Sequence, residues 1–212
     1  MTSWFSIRNI AITILGYPMS WIELLATLLT IACVWLALKA HVLNWPVALL
    51  AIFFSFLLFF QSALYADSFL QIYFFVTSIY GWWYWTRDGE TEKIVPVTFL
   101  SQTARIYWLV GIILSTCLVS YIMIHLHGWL PDFFPKPTAY PIPDSFVMVV
   151  SIAGQWLLAK KKLENWICWI AVNCTAIVIY FMKDIKLFSL LYAVLLVLAI
   201  MGVISWRKKN QS

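Results

Sequence analysis

In the stretch ENWICWIAVN (residues 164–173), Trp166, Trp169 and Asn173 stand at i, i+3 and i+7. On a helix two indoles and an amide therefore share one face. Gln155 lies at a similar depth in the preceding apolar run, four residues after Ser151 and on the same face as it. An earlier run offers Gln71, Phe75, Ser78 and Trp82 along one stripe, with Tyr80 beside it. Brought together, these residues make a pocket of indole faces and amides that carries no formal charge. Such a pocket suits a flat, hydroxylated or cationic ring, held by stacking and cation–π attraction and oriented by the amides. It suits a free anion or a phosphate poorly. Glu23 is the one Asp, Glu, Lys or Arg well inside the end of an apolar run. Ser20-Trp-Ile-Glu23 reads as a capping box, and Glu23 is also a candidate outer gate. Asp67 and Asp144 read as N-caps, and His125 and His127 as wetted interfacial residues. No spacing suggests a metal site, a nucleophile with its base, or a glycine loop for phosphate, so neither an enzyme nor a bound cofactor is expected.

These residues need elements to hold them, and the composition says which. Of 212 residues 63% are hydrophobic and 11% charged, too little polar surface for a soluble domain of this length. The charges fall between seven apolar runs, roughly 21–39, 45–62, 68–86, 104–127, 144–160, 165–182 and 186–206, each near the ~30 Å needed to cross a bilayer as a helix. An all-α membrane protein with seven transmembrane helices is predicted. The first twenty residues lack the pattern of a signal peptide, and residues 4–16 read as a short interfacial helix with Trp4, Phe5, Ile7 and Ile10 on its apolar side. Cys33, Cys117, Cys168 and Cys174 lie within spans and read as small buried hydrophobes. Net charge is +5, and its distribution says more than its sum. One set of loops and ends holds Arg8, Lys136, Lys183 and Lys186. The other holds Lys39, Arg87, Lys93, Arg105, Lys160, Lys161, Lys162, Arg207, Lys208 and Lys209. The positive-inside rule then puts the N-terminus outside and the C-terminus in the cytoplasm. Nothing in this pattern calls for nucleic acid.

The chain also repeats itself. A shift of 121 residues pairs Trp35 with Trp156, Lys39 with Lys160, Asn44-Trp45 with Asn165-Trp166, Gly81 with Gly202 and Trp85 with Trp206, giving 12 identities in 51 pairs between 35–85 and 156–206. The expected organisation is an N-terminal interfacial segment (1–20), a first three-helix repeat (21–86), a connector that includes the fourth span (87–143), a second three-helix repeat (144–206) and a basic cytoplasmic tail (207–212). One intervening span makes the two units parallel, related by an axis along the membrane normal, as in the sugar transporters called SWEETs. Bundles of that kind bind substrate between their halves.

SWIE at 20–23, LQIYFFVTSIYGWWYW at 70–85, DSFVMVVSI at 144–152 and ENWICWIAVN at 164–173 resemble the PnuC family, bacterial transporters of nicotinamide riboside and related vitamins. Trp166, Trp169 and Asn173 carry the family's W-x-x-W-x-x-x-N pattern, and the likeness extends over nearly the whole chain, weakest around the fourth span. The resemblance implies a 3+1+3 SWEET-like bundle in the bacterial inner membrane, a homotrimer among lipid, and downhill uptake followed by trapping through cytoplasmic phosphorylation. Asn173 keeps the nicotinamide riboside type of pattern, whereas Ser78 stands where some members carry Asn. Thiamine and riboflavin are the alternative cargoes within the family. A seven-helix receptor is the distant alternative, which would need no duplicated unit. A retinal protein would need a lysine within the seventh span.

Overall fold

The computed structural model describes residues 5–14, 16–62, 65–87, 96–132, 140–182 and 186–211. Seven helices dominate it: α1 (Trp21–Leu38), α2 (Asn44–Gln61), α3 (Tyr65–Thr86), α4 (Gln102–Trp129), α5 (Pro141–Ala159), α6 (Asn165–Met182) and α7 (Lys186–Gln211). Six of them are long and apolar enough to cross a membrane. The seventh, α3, ends in Tyr80, Trp82, Trp83, Tyr84 and Trp85, whose amphipathic rings belong at a membrane–water interface.

The N-terminus departs from the expected interfacial helix. Ile10–Ile14 (β1) and Tyr17–Ser20 (β2) form an antiparallel hairpin. Ile10, Ile12 and Ile14 are β-branched and alternate at period two, the strand pattern, and Gly16 supplies the positive φ of +81° at the turn. Trp4 lies outside the described residues. The hairpin sits at the start of α1, and Gln61 ties the preceding segment to the end of α2 by accepting from Ile7 N (3.1 Å) and donating to the Phe5 carbonyl (2.7 Å). Ser20 caps α1, its Oγ accepting from Glu23 N at 3.2 Å. Asp67 and Asp144 are not caps. They lie in the first turns of α3 and α5, where their charge meets the positive end of the helix dipole.

The helix contacts close a ring in the order α1, α2, α3, α5, α6, α7 and back to α1, with α4 outside it against α5. The same local devices recur 121 residues apart. Ala40 (φ 54°) and Lys161 (φ 56°) are the two non-glycine left-handed residues among those described, and each ends a helix. His41 N bonds Leu36 O and Lys162 N bonds Leu157 O, the long bond of a Schellman motif in both cases. Asn44 Nδ2 then bonds the His41 carbonyl (2.8 Å) and Asn165 Nδ2 the Lys162 carbonyl (2.6 Å), starting the next helix. Trp45 and Trp166 are both fully buried, lying over Gly81 and Gly202 respectively, where no side chain would fit.

The core at this end of the bundle is a four-tryptophan cluster. Trp45 meets Trp85 edge to face (5.2 Å, 85°), Trp166 meets Trp206 in the same way (5.6 Å, 89°), and Trp85 and Trp206 meet at the centre (6.1 Å). Trp85 Nε1 donates to the Ala159 carbonyl (3.1 Å) and Trp206 Nε1 to the Ala37 carbonyl (3.0 Å), joining α3 to α5 and α7 to α1. Of the four cysteines only Cys168 is buried, while Cys117 and Cys174 lie on exposed helix faces.

Candidate functional site

At the opposite end of the ring a second aromatic group closes the bundle. Tyr180 stacks on Tyr192 (5.2 Å, 11°) and on Phe188 (5.3 Å), and Phe188 meets Tyr17 edge to face (6.3 Å). On α6, Asn173 is seven residues from Trp166 and seven from Tyr180, so it stands about 10 Å from each aromatic group at 1.5 Å per residue. It is 4% exposed. On α3, Gln71 and Ser78 are buried two turns apart on one face; on α5, Ser151 and Gln155 are buried one turn apart. Gln155 Nε2 donates to Ser78 Oγ at 3.1 Å and links the two helices about one turn in from the end of α5. Among the described residues the side-chain amides of Gln71 and Asn173 make no hydrogen bond. Neither belongs to the side chains with a fully enclosed, unpaired polar atom, so both amides stay open to a polar group that enters between the helices.

Trp169 is half-buried, packed beside Gly154, where its indole Cε2 lies 3.5 Å from the place a Cβ would take. The lack of a side chain at 154 therefore lets the ring lie against α5 next to Gln155. Trp166, on the same face of α6, is 1% exposed and locked between Gly202 and Trp206, its Nε1 without an acceptor. Tyr80 and Trp82 do not join this set. Tyr80 stacks flat on Trp156 (5.3 Å, 9°) with its hydroxyl bonded to Lys160 Nζ, and Trp82 is 40% exposed.

The 121-residue offset separates two kinds of residue. Trp45, Gly81, Trp85, Asn44 and Lys39 have identical counterparts, and all of these hold helix ends or helix contacts. Asn173, Gln155, Trp169, Ser78 and Gln71 have none: the matching positions are Ile52, Val34, Ala48, Ala199 and Tyr192. The polar set thus has no counterpart at the 121-residue offset.

Buried charge occurs only toward the helix ends among the described residues: Glu23, Lys161 and Glu164. Glu23 is capped into α1 by Ser20, and one of its oxygens, Oε1, is buried with no partner. Beside it, burial and the hydrogen bond to the Glu23 carboxylate push the Tyr17 phenol up to about 12, so it remains a donor. Glu164 accepts from Leu100 N with both oxygens (3.1 Å each) and from Arg105 (2.9 Å), fastening the start of α4 to the loop before α6. Nothing along the chain pointed to this ion pair, because its partners are 59 residues apart. Lys161 lies under the Trp85 ring at 4.5 Å, and burial, with repulsion from Lys209, pulls its ammonium down to about 8.

A ring of apolar helices around an uncharged, amide- and indole-bearing centre defines a multi-pass membrane protein. The sequence profile of the nicotinamide mononucleotide transporter family matches residues 20–208. The nicotinamide riboside transporter PnuC of Escherichia coli is 31% identical over 95% of this chain and 93% of its own length. That of Neisseria mucosa is 26% identical over 93% of this chain and 76% of its own. The crystal structure of a vitamin B3 transporter PnuC superposes with a TM-score of 0.70 at 22% identity, covering 90% of this chain and 82% of the other. The chain belongs to the PnuC family of membrane transporters.

Proposed function

We propose that this protein carries nicotinamide riboside across the bacterial inner membrane by facilitated diffusion, with the cargo held between Gln71, Ser78, Gln155, Trp169 and Asn173. One observation carries the reading: Gln71 and Asn173, buried residues whose amides bond no described residue and are not sealed off, stand between two aromatic clusters. Trp169 offers a face for the cationic pyridinium ring, and the amides suit the ribose hydroxyls and the carboxamide. The Trp166 group forms the floor of the path on the basic side, and the Tyr180 group its roof. The relatives named for nicotinamide riboside support this cargo, whereas the family profile bears the name of the mononucleotide. Charge favours the riboside. No Lys or Arg stands at mid-depth among the described residues, so a phosphate dianion would cross without compensation.

The same reading takes the molecule as seven spans in a 3+1+3 arrangement with the N-terminus outside, assembled as a homotrimer, with phosphorylation in the cytoplasm keeping the cargo inside. The helix bounds support the duplication: Asn44–Gln61 moved by 121 residues is 165–182, the range of α6. Titration calorimetry on purified protein against nicotinamide riboside, its mononucleotide, thiamine and riboflavin tests the site. The riboside should bind tightest and the mononucleotide weakly or not at all. Asn173→Ala should lose about 1–3 kcal/mol through an unpaired cargo group, and Trp169→Ala a comparable amount, while Trp129→Ala should bind as wild type. Wild-type binding by folded Asn173→Ala and Trp169→Ala proteins would place the site elsewhere.

A further inference from the structure

Outside the ring, α3, α4 and α5 enclose an open groove of about 450 Å³. It runs from Tyr107 and Trp156 at one end to Ser115, Val149 and Tyr73 at the other. Eight residues along α4 and seven along α5 make it about 10–12 Å long, most of the ~15 Å depth of one leaflet's hydrocarbon. Its lining is aromatic and aliphatic, and Gly111 lies along it with nothing within 4 Å of where a Cβ would stand.

The end marked by Trp156 carries positive charge. One turn beyond Trp156, Lys160 Nζ stands 4.8 Å from the Tyr80 ring and 4.9 Å from the Tyr84 ring. Arg87 lies over the same Tyr84 ring at 4.4 Å, so two cations gather at one aromatic ring. Neither has a carboxylate partner among the described residues, and the Arg105–Glu164 ion pair lies elsewhere. The Tyr80 oxygen accepts from Lys160 Nζ, which leaves its own hydroxyl proton free to donate. An ammonium, a guanidinium and a phenol donor therefore gather at the mouth of a hydrocarbon-lined groove, at the depth where an aromatic belt marks the membrane surface.

We propose that this groove is a binding site for one anionic phospholipid, its acyl chain along α4 and α5 and its phosphate on Lys160, Arg87 and Tyr80. Charge complementarity selects the occupant: a zwitterionic lipid fills the groove equally well but leaves the two cations less fully balanced. The bound chain also covers the flank of α4, which otherwise touches the ring chiefly through α5.

The test uses purified full-length protein in nanodiscs and in mild detergent, with phosphatidylglycerol, phosphatidylcholine and inorganic phosphate as probes. Native mass spectrometry reads retained lipid, and light scattering reads the oligomeric mass. Wild type should hold phosphatidylglycerol about 30-fold tighter than phosphatidylcholine, the ratio that two cations near an anionic headgroup supply at about 1 kcal/mol each. Lys160→Gln should cut that preference to about fivefold, Lys160→Arg should keep it, and Lys160→Gln with Arg87→Gln should abolish it. Gly111→Leu, whose Cβ meets open space, projects into the groove and should lower retention of both lipids while leaving the oligomeric mass unchanged. Preference persisting in the double variant would overturn the proposal. So would competition by inorganic phosphate at matching concentration, which would mean a site for free anion. An altered oligomeric mass in Gly111→Leu with lipid retention intact would show the groove covered by a second copy instead.

Discussion

Replacing Gly202 by Ala is a sharp probe of the tryptophan framework. A Cβ there would stand 2.5 Å from Cε2 and 2.6 Å from Cε3 of Trp166, about 1 Å inside the 3.5–4.0 Å at which carbon atoms pack. The ring cannot swing aside, because Trp206 meets it edge to face and it is already fully buried. Helix α7 must therefore back away from α6. Overpacking of a tight core costs about 1–3 kcal/mol, and contact with a fused ring belongs at the upper end. Greater helix propensity for Ala returns up to about 1 kcal/mol. The net loss is about 2 kcal/mol, or roughly 4–8 °C in melting temperature for a chain of this size. Scanning fluorimetry of purified protein in detergent measures it. Gly81→Ala, facing Trp45 at 2.5 Å from Cζ2, should fall by a similar amount, while Gly111→Ala, with open space around it, should not fall at all. Adding Trp166→Phe to Gly202→Ala removes the clashing ring and should recover part of the loss. A Gly202→Ala protein that melts with wild type, or one that Trp166→Phe does not relieve, would refute the reasoning.

Lys161 sets a pH dependence. Its folded pKa of about 8 lies below the ~10.4 of an unfolded chain, so between these values the unfolded state holds more protons. Stability should rise as pH climbs from 8 toward 10, with the full penalty present below 8; Lys161→Met should remove that rise relative to wild type in paired melting curves. A reporter active only in the cytoplasm should work when fused after Ser212 and fail when placed in the 130–140 loop, and the reverse result would invert every span. In sealed proteoliposomes the riboside should equilibrate without accumulating under any imposed proton or sodium gradient. Gradient-driven accumulation would implicate Glu23, whose buried, unpartnered oxygen is the first candidate to bind a coupling ion.

Much of the architecture was legible along the chain. A helix in a membrane must satisfy its own backbone and cover itself with apolar side chains over a set length, so α6 falls at 165–182 as its composition predicts. The N-terminal segment was not legible in this way. Ile7 and Ile10 fit a helical stripe while Ile10, Ile12 and Ile14 fit a strand, and in a run this short periodicity does not decide between them. Pairing with Tyr17–Ser20 decided it. The basic end of α7 also exceeded its apolar run: the helix continues through Arg207, Lys208 and Lys209, long side chains that reach the interface from a helical backbone.

The candidate site divides along the same line. The sequence alone determined that Trp166, Trp169 and Asn173 share a face, because helical spacing is a property of the local chain. It also determined that the middle of the membrane carries neutral amides and indoles in place of charge. Only the tertiary structure decided which of the two tryptophans is framework. Trp166 is enclosed by Gly202 and Trp206, whereas Trp169 lies beside Gly154 and Gln155. Tyr80, within the stretch at 70–85 that carries the family resemblance, turned outward to Trp156 and Lys160 for the same reason. A helix repeats its faces by geometry, but what each face meets is set by the helices packed against it, and those come from distant parts of the chain.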